Sequence, residues 1–204
     1  MATFPLAKRP TQSYSVGGVR FGDDRGDILH PGCDLLAPAG TEVFAVEDGI
    51  VLYPPRAFFE SGPHVQNDDK QWVCKPGVTC LWVYDVLIQH KNFLARYGEV
   101  SANAAPGIKA GAEIKEGQLV GWVGAQTVAT MLHFEMYSNA NDTSYPTAKG
   151  NMQYLNFKPT KTYSRRKDLM DPTNYLDACR LKGEPPRGPA VVHTGRYRNI
   201  TILQ

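Results

Sequence analysis

Between residues 30 and 138 apolar side chains come in short runs or strict alternation, broken by glycine, proline and charged residues. That rhythm has the period of two expected of extended chain. DLLAPAGTEVFAVEDGIVLYP (34–54) supplies β-branched and aromatic runs punctuated by Pro38, Gly40 and Gly49, which predicts consecutive short strands joined by turns. No helical period competes there. Strand signals resume in LWVYDVLIQH (81–90) and FLARYGEV (93–100), then in EIKEGQLVGWVG (113–124) and MLHFEMYS (131–138). Gly117, Gly121 and Gly124 mark turns or close backbone approaches. In the last segment alternation puts Met131, His133 and Glu135 on one face and Leu132, Phe134 and Met136 on the other. The chemistry is thereby separated from the core.

The same pattern divides the chain. Residues 1–27 are polar and rich in Gly and Asp, and read as an irregular N-terminal arm. A strand-rich core spans 28–138. Within it, 54–80 carries Pro54, Pro55, Pro63, Pro76, Gly62, Gly77 and the charged QNDDK, and is expected to be a long inserted loop. Residues 139–180, which include DLMDPTNYLDAC, read as a C-terminal extension, a short helix or an arm wrapping the core. Residues 181–204 open on a Pro/Gly linker and read as a tail. There is no internal repeat.

Composition narrows the classes further. A chain of 204 residues with 42% apolar content fits one ordinary domain with extensions. Lys+Arg at 22 against Asp+Glu at 20 leaves no surplus of positive charge to argue for nucleic acid or an acidic membrane surface. No stretch approaches the roughly 20 apolar residues of a membrane span, and the first residues show no hydrophobic secretory leader. Cys33, Cys74, Cys80 and Cys179 form an even set. Cys74 and Cys80 bracket the turn-rich KPGVT and could bridge; free thiols are the alternative. A bridge would place the protein outside a reducing cytosol.

His30 and Asp34 sit in HPGCD, where a separation of four brings both to one side of an extended segment. Catalytic zinc commonly takes three nitrogen and oxygen donors and leaves a position open for water. His133 is a candidate third donor, because an imidazole amid apolar alternation is costly to bury without a partner. Taken singly these signals are weak: H-x-x-x-D also describes a turn with a capping Asp, and a lone His133 also describes a satisfied core histidine. Cys33 should point away from Asp34's face. His64 in the loop and His193 in the tail read as surface residues. Trp72, Trp82 and Trp122 are expected in the core rather than along a groove. Arg96 and Tyr97 flank Glu99 closely enough to reach a peptide.

Read together, HPGCDLLAPAGTEVFAVEDGIV, IKEGQLVGWVG and MLHFEMY resemble the lysostaphin/LytM-type zinc metallopeptidases, which cut bacterial cell-wall peptides. The resemblance covers about residues 28–138. It implies a mainly β chain: a compact antiparallel β-sandwich of the duplicated hybrid motif type. It also implies Zn2+ held by His30, Asp34 and His133. Two family histidine positions differ, reading Met131 and Glu99 here. A thioether cannot transfer a proton, whereas Glu99 could act as general base. His90 would orient Glu99 or serve as a second donor, with a structural histidine as the alternative. The implied function is a zinc-dependent endopeptidase acting on peptidoglycan stems or cross-links. The alternative is a catalytically inactive member that binds cell-wall peptide or activates an amidase. A third reading, a biotinyl-type carrier suggested by IKEGQLVG, lacks a lysine at a hairpin tip. SRRKDLMDPTNYL (164–176) resembles the continuation in a subset of these enzymes that act as antibacterial toxins delivered by contractile secretion machinery. That adds a secretion apparatus or a cognate inhibitor as expected partners, and the periplasm or the extracellular space as the place of action.

Overall fold

The alternation in the sequence becomes strands wherever one face can be buried. The computed structural model describes residues 2–25, 28–127, 129–146, 152–154 and 164–185. In chain order the strands are β1 (Cys33–Leu36), β2 (Glu42–Phe44), β3 (Gly49–Ser61), β4 (His64–Gln66) and β5 (Trp72–Cys74). They continue with β6 (Leu81–His90), β7 (Leu94–Val100), β8 (Glu113–Ile114), β9 (Leu119–Trp122) and β10 (Met131–Tyr137). β11 (Met152–Tyr154), β12 (Ser164–Arg166), β13 (Leu169–Met170) and a single-turn helix α1 (Thr173–Ala178) follow. One sheet runs β1-β10-β7-β6-β3-β8, with β13 added to β10. Its pairings are all antiparallel.

A two-stranded ribbon, β2 with β9, faces this sheet. Val43, Ala45, Val120 and Val123 from the ribbon side share one core with Leu35, Val86, Ile88, Tyr97, Leu132 and Phe134 from the sheet. Each fully buried aliphatic or aromatic side chain contributes about 1.5–3 kcal/mol, so the core fixes the strand register. The sandwich-like, mainly β architecture expected from the sequence is the one found. No helix among the described residues is long and apolar enough to cross a membrane.

Two segments differ from expectation. The arm, over its described residues 2–25, is pinned to the core at several points: Phe4, Leu6 and Tyr14 are buried in the core, Leu6 bridges Val43 and Thr3 bridges Arg180. Its isolated apolar residues act as pegs, which no periodicity reveals. Residues 54–80 are not a long loop. β3 stays paired with β6 as far as Ser61, and β4 and β5 form a hairpin beyond it. Pro54 and Pro55 are accommodated because the β3–β6 register shifts between Tyr53 and Arg56, a position that needs no ladder donor. In the extension, Met170 pairs with Met136 and Leu176 of α1 is buried. Residues 186–204, with His193, lie outside the described residues.

Cys74 and Cys80 form a disulfide, while Cys33 and Cys179 are buried free thiols. Trp82 is 55% exposed, against the expectation of a core position, and Trp122 packs against the core. The Trp72 side chain lies outside the described residues.

Candidate metal centre and active site

β1 and β10 are neighbours, and their register sets Asp34 opposite His133. Paired residues in an antiparallel ladder face the same way, so the two side chains meet: His133 Nδ1 is 2.7 Å from Asp34 Oδ1. His30 closes the group from just before β1, with Nε2 3.1 Å from Asp34 Oδ1 and 3.1 Å from His133 Nδ1. All three residues are buried. Cys33, one residue away, turns to the opposite face and meets Thr173.

Each imidazole is held by its other nitrogen. His30 Nδ1 lies 2.7 Å from the Arg20 carbonyl oxygen, which can only accept, so the proton sits on Nδ1 and Nε2 faces the group. His133 Nε2 donates to Glu135 Oε1 at 2.9 Å, which leaves Nδ1 toward Asp34. This is the arrangement by which metal-binding histidines are oriented and made more basic.

Glu135 is itself anchored. Arg96 Nη1 donates to its Oε1 at 2.9 Å, Arg165 Nε lies 3.2 Å from both oxygens, and the Tyr137 hydroxyl donates to Oε2. Arg96 also donates to Asp85 at 2.5 Å. Arg96 and Tyr97 are thus enclosed, at 1% and 0% exposure, and cannot reach a peptide as the sequence suggested.

The charge states follow from these contacts. Burial opposes a charge on His133, but hydrogen bonds to Asp34 and Glu135 outweigh it and lift its pKa to about 9. Burial lowers the pKa of His30. Burial also works against ionising Asp34, yet its bonds to His133 and His30 hold the carboxyl well below the usual range. Arg25 adds an ion pair on Asp34 Oδ2. Without a metal, then, a proton on His133 occupies the position where two imidazoles and a carboxylate converge. A divalent ion that takes nitrogen and oxygen donors fits that donor set, and Zn2+ is such an ion.

Glu99 reaches this face through a backbone irregularity. Across β6 and β7, Asp85 pairs with Gly98 and Tyr84 with Val100, so Glu99 is an extra, bulged residue. Its φ is +64°, uncommon for a side chain other than glycine. Regular alternation would point Glu99 with Tyr97 into the core; the bulge re-aims it. Gln126 Nε2 donates to Glu99 Oε2 at 2.7 Å. Burial raises the Glu99 pKa, and the fields of His133 and Asp34 reach it.

Gly98 faces His133 across the ladder. A Cβ there would lie 3.2–3.3 Å from His133 backbone and ring atoms, so the ring packs against bare backbone.

His90 is elsewhere. It lies at the turn end of the β6–β7 hairpin, while Glu99 lies at the other end, about 20 Å away at the rise of a strand. Its partners are the Asp48 carbonyl at 3.1 Å and the Tyr97 hydroxyl at 3.3 Å, and burial pushes its pKa down to about 4. Those contacts are structural and do not orient Glu99.

A groove of about 650 Å³ lies alongside, lined by Phe59, Ser61, Val78, Gln126, Thr127 and Met131 among others. Gln126 and Arg25 were not read from the sequence, and no local pattern marks them. Glu135 could have been found, because it follows His133 by two on the same face.

No protein-family model and no curated protein matches the chain. Solved structures do. The crystal structure of cbpa from L. salivarius REN superposes with a TM-score of 0.51 at 15% identity, over 87% of this chain and 95% of that one. The catalytic domain of the antimicrobial peptidase lysostaphin from Staphylococcus simulans gives 0.49 at 18% identity, over 79% and 91%. A putative peptidase M23 from Pseudomonas aeruginosa gives 0.43 at 21%, over 69% and 46%. The cbpa superposition, at 15% identity, is a likeness of fold alone.

Proposed function

We propose that the protein is a zinc-dependent endopeptidase that hydrolyses peptide bonds in bacterial peptidoglycan. The observation that carries this reading is the convergence of His30, Asp34 and His133, with both imidazoles held through their far nitrogens by Arg20 and Glu135. Zinc bound there would supply Lewis acidity, polarising a peptide carbonyl and making water a stronger acid.

The chain's own residues would do the rest. Glu99, held by Gln126, takes the proton of the attacking water at its carboxylate and passes it to the departing amine. Burial strengthens it as a base by raising its pKa. Asp34 stays ionised and balances the ion's charge. The adjoining groove accepts an extended peptide, with Phe59, Val78 and Met131 offering apolar contact. Action in the periplasm or outside the cell agrees with the Cys74–Cys80 bridge. Delivery as an antibacterial effector, with a secretion apparatus or cognate inhibitor as partner, belongs to the same proposal and rests on the SRRKDLMDPTNYL resemblance.

A second reading is a non-catalytic member that binds cell-wall peptide or activates an amidase. It is favoured by Met131, which lines the groove where the family has a histidine and has no proton to give. Turbidity of a sacculus suspension with parallel metal analysis separates the two. Glu99→Gln is expected to abolish lysis with zinc content unchanged, and His133→Ala to lose both. Lysis by Glu99→Gln at the parent rate would end the general-base assignment. A zinc-loaded parent protein with no lysis would establish the binder.

A further inference from the structure

Around the end of β3 and the base of the hairpin that follows lies a second group of side chains of metal-ligating type, apart from the His30 site. Glu60, His64 and Cys80 each place a ligand atom within 4.8 Å of the others. Cys80 is bridged to Cys74, the register partner of His64 across β4 and β5. Three donors of three kinds therefore meet where β3 ends and the hairpin begins, and the sulfur of Cys74 is bonded to one of them.

We propose that these residues form a redox-gated zinc site: with the disulfide reduced, Cys74, Cys80, His64 and Glu60 bind one Zn2+, and with it oxidised they do not.

The orientation of His64 supports this. Its Nδ1 donates to the Gly62 carbonyl at 2.9 Å, so Nε2 is the nitrogen turned inward, 2.9 Å from Glu60 Oε2. Gly62 also makes room for the sulfur, since a Cβ there would lie 2.6 Å from Cys80 Sγ. Its φ of +144° is one that other residues rarely adopt. A glycine thus seats both the imidazole and the thiol. Two sulfurs, one nitrogen and one oxygen suit the tetrahedral preference of zinc, at about 2.3 Å to sulfur and about 2.0–2.2 Å to nitrogen and oxygen. These lengths place ligand atoms about 3.5 Å apart, so Glu60, His64 and Cys80, now within 4.8 Å, would draw together while the two sulfurs separate on reduction.

The chemistry balances with a dithiol as the reductant. Its two sulfurs become a disulfide as the Cys74–Cys80 bond breaks, and both electrons pass to the protein sulfurs, which leave as thiols. Zinc binding then releases two thiol protons, because the thiolate is the ligand. Oxidation reverses the sequence and frees the ion.

The site differs in kind from the His30 group, which contains no sulfur. Cys33 adjoins that group but faces Thr173. Sulfur ligation therefore reports the hairpin specifically, whatever the first site binds.

The test uses the full chain, oxidised or reduced with a phosphine under anaerobic conditions, titrated with Co2+ and Zn2+. Only the reduced protein should show a sulfur-to-cobalt charge-transfer band and take up one more equivalent of zinc than the oxidised protein. The band should vanish in the Cys74→Ser/Cys80→Ser double variant, which keeps Cys33 and Cys179. His64→Ala should weaken Co2+ binding at least about tenfold. Glu60→Gln, which disturbs the hairpin less, should shift the cobalt spectrum. The proposal is overturned by equal zinc uptake in both redox states. It is overturned equally by a band that survives the double cysteine variant, or by His64→Ala and Glu60→Gln proteins that bind Co2+ as the parent does.

Discussion

Replacing Glu135 with Gln tests whether the buried acidic residue behind His133 prepares the proposed metal centre. Its two oxygens receive donors from His133, Arg96, Arg165 and Tyr137, and it is wholly enclosed. An amide of the same shape has one acceptor oxygen, and its NH2 would confront donors with donors. Removing the charge leaves two guanidinium groups without their shared counterion. Breaking a buried ionic cluster on one side costs about 3–5 kcal/mol. At about 2–4 °C per kcal/mol for a chain of this size, the expected fall in Tm is about 6–20 °C. The effect on metal is separate: loss of the group that orients a ligand histidine weakens metal binding about 10–100-fold. Thermal unfolding of the metal-free protein measures the first quantity, and zinc competition against a chromophoric chelator, below the variant's Tm, measures the second. A folded Glu135→Gln protein that binds zinc as tightly as the parent would refute the claim that Glu135 sets the tautomer of His133.

The His133 pKa of about 9 lies above its ordinary value of 6.5, so the metal-free folded state gains stability from this proton below pH 6.5 and loses it as pH rises through about 9. Stability of the metal-free protein should decline across that window in denaturant titrations, while apparent zinc affinity rises and each ion bound at pH 7.5 releases about one proton. Gly98→Ala would press a methyl against the His133 ring, so zinc affinity should fall about tenfold or more while far-UV circular dichroism stays unchanged. Phe134→Ala removes a fully buried ring from the opposite face of β10 and should cost about 3–5 kcal/mol in urea unfolding.

The legible and illegible parts of the fold divide by physical range. β10 is legible because apolar Leu132, Phe134 and Met136 alternate with His133 and Glu135, although in space both of its faces are buried. His30, Asp34 and His133 were readable as ligand types; their meeting depends on the β1–β10 register, which no local pattern states. The prolines of 54–80 argued for a loop, since a register shift that shelters Pro54 and Pro55 is a property of the pair of strands and not of either alone. Phe4 and Leu6 were missed because single apolar pegs in a polar arm carry no period. Glu99 was placed by motif alignment, yet its route to the site runs through a bulge and a positive φ that a strand-like sequence conceals. His90 was misplaced for a related reason: nearness along a hairpin is counted from the turn, and Glu99 lies at the open end.

The length of β3 has an evolutionary consequence. Since that strand remains laddered to its neighbour out to Ser61, its end, with Gly62, Pro63 and Val78, forms one bank of the groove and carries the hairpin as an overhang. Insertions or exchanges at its tip would widen or narrow that groove while His30, Asp34 and His133, rooted in other strands, keep their spacing. On the proposed function, preference for one peptide over another can therefore drift by changes to the overhang alone.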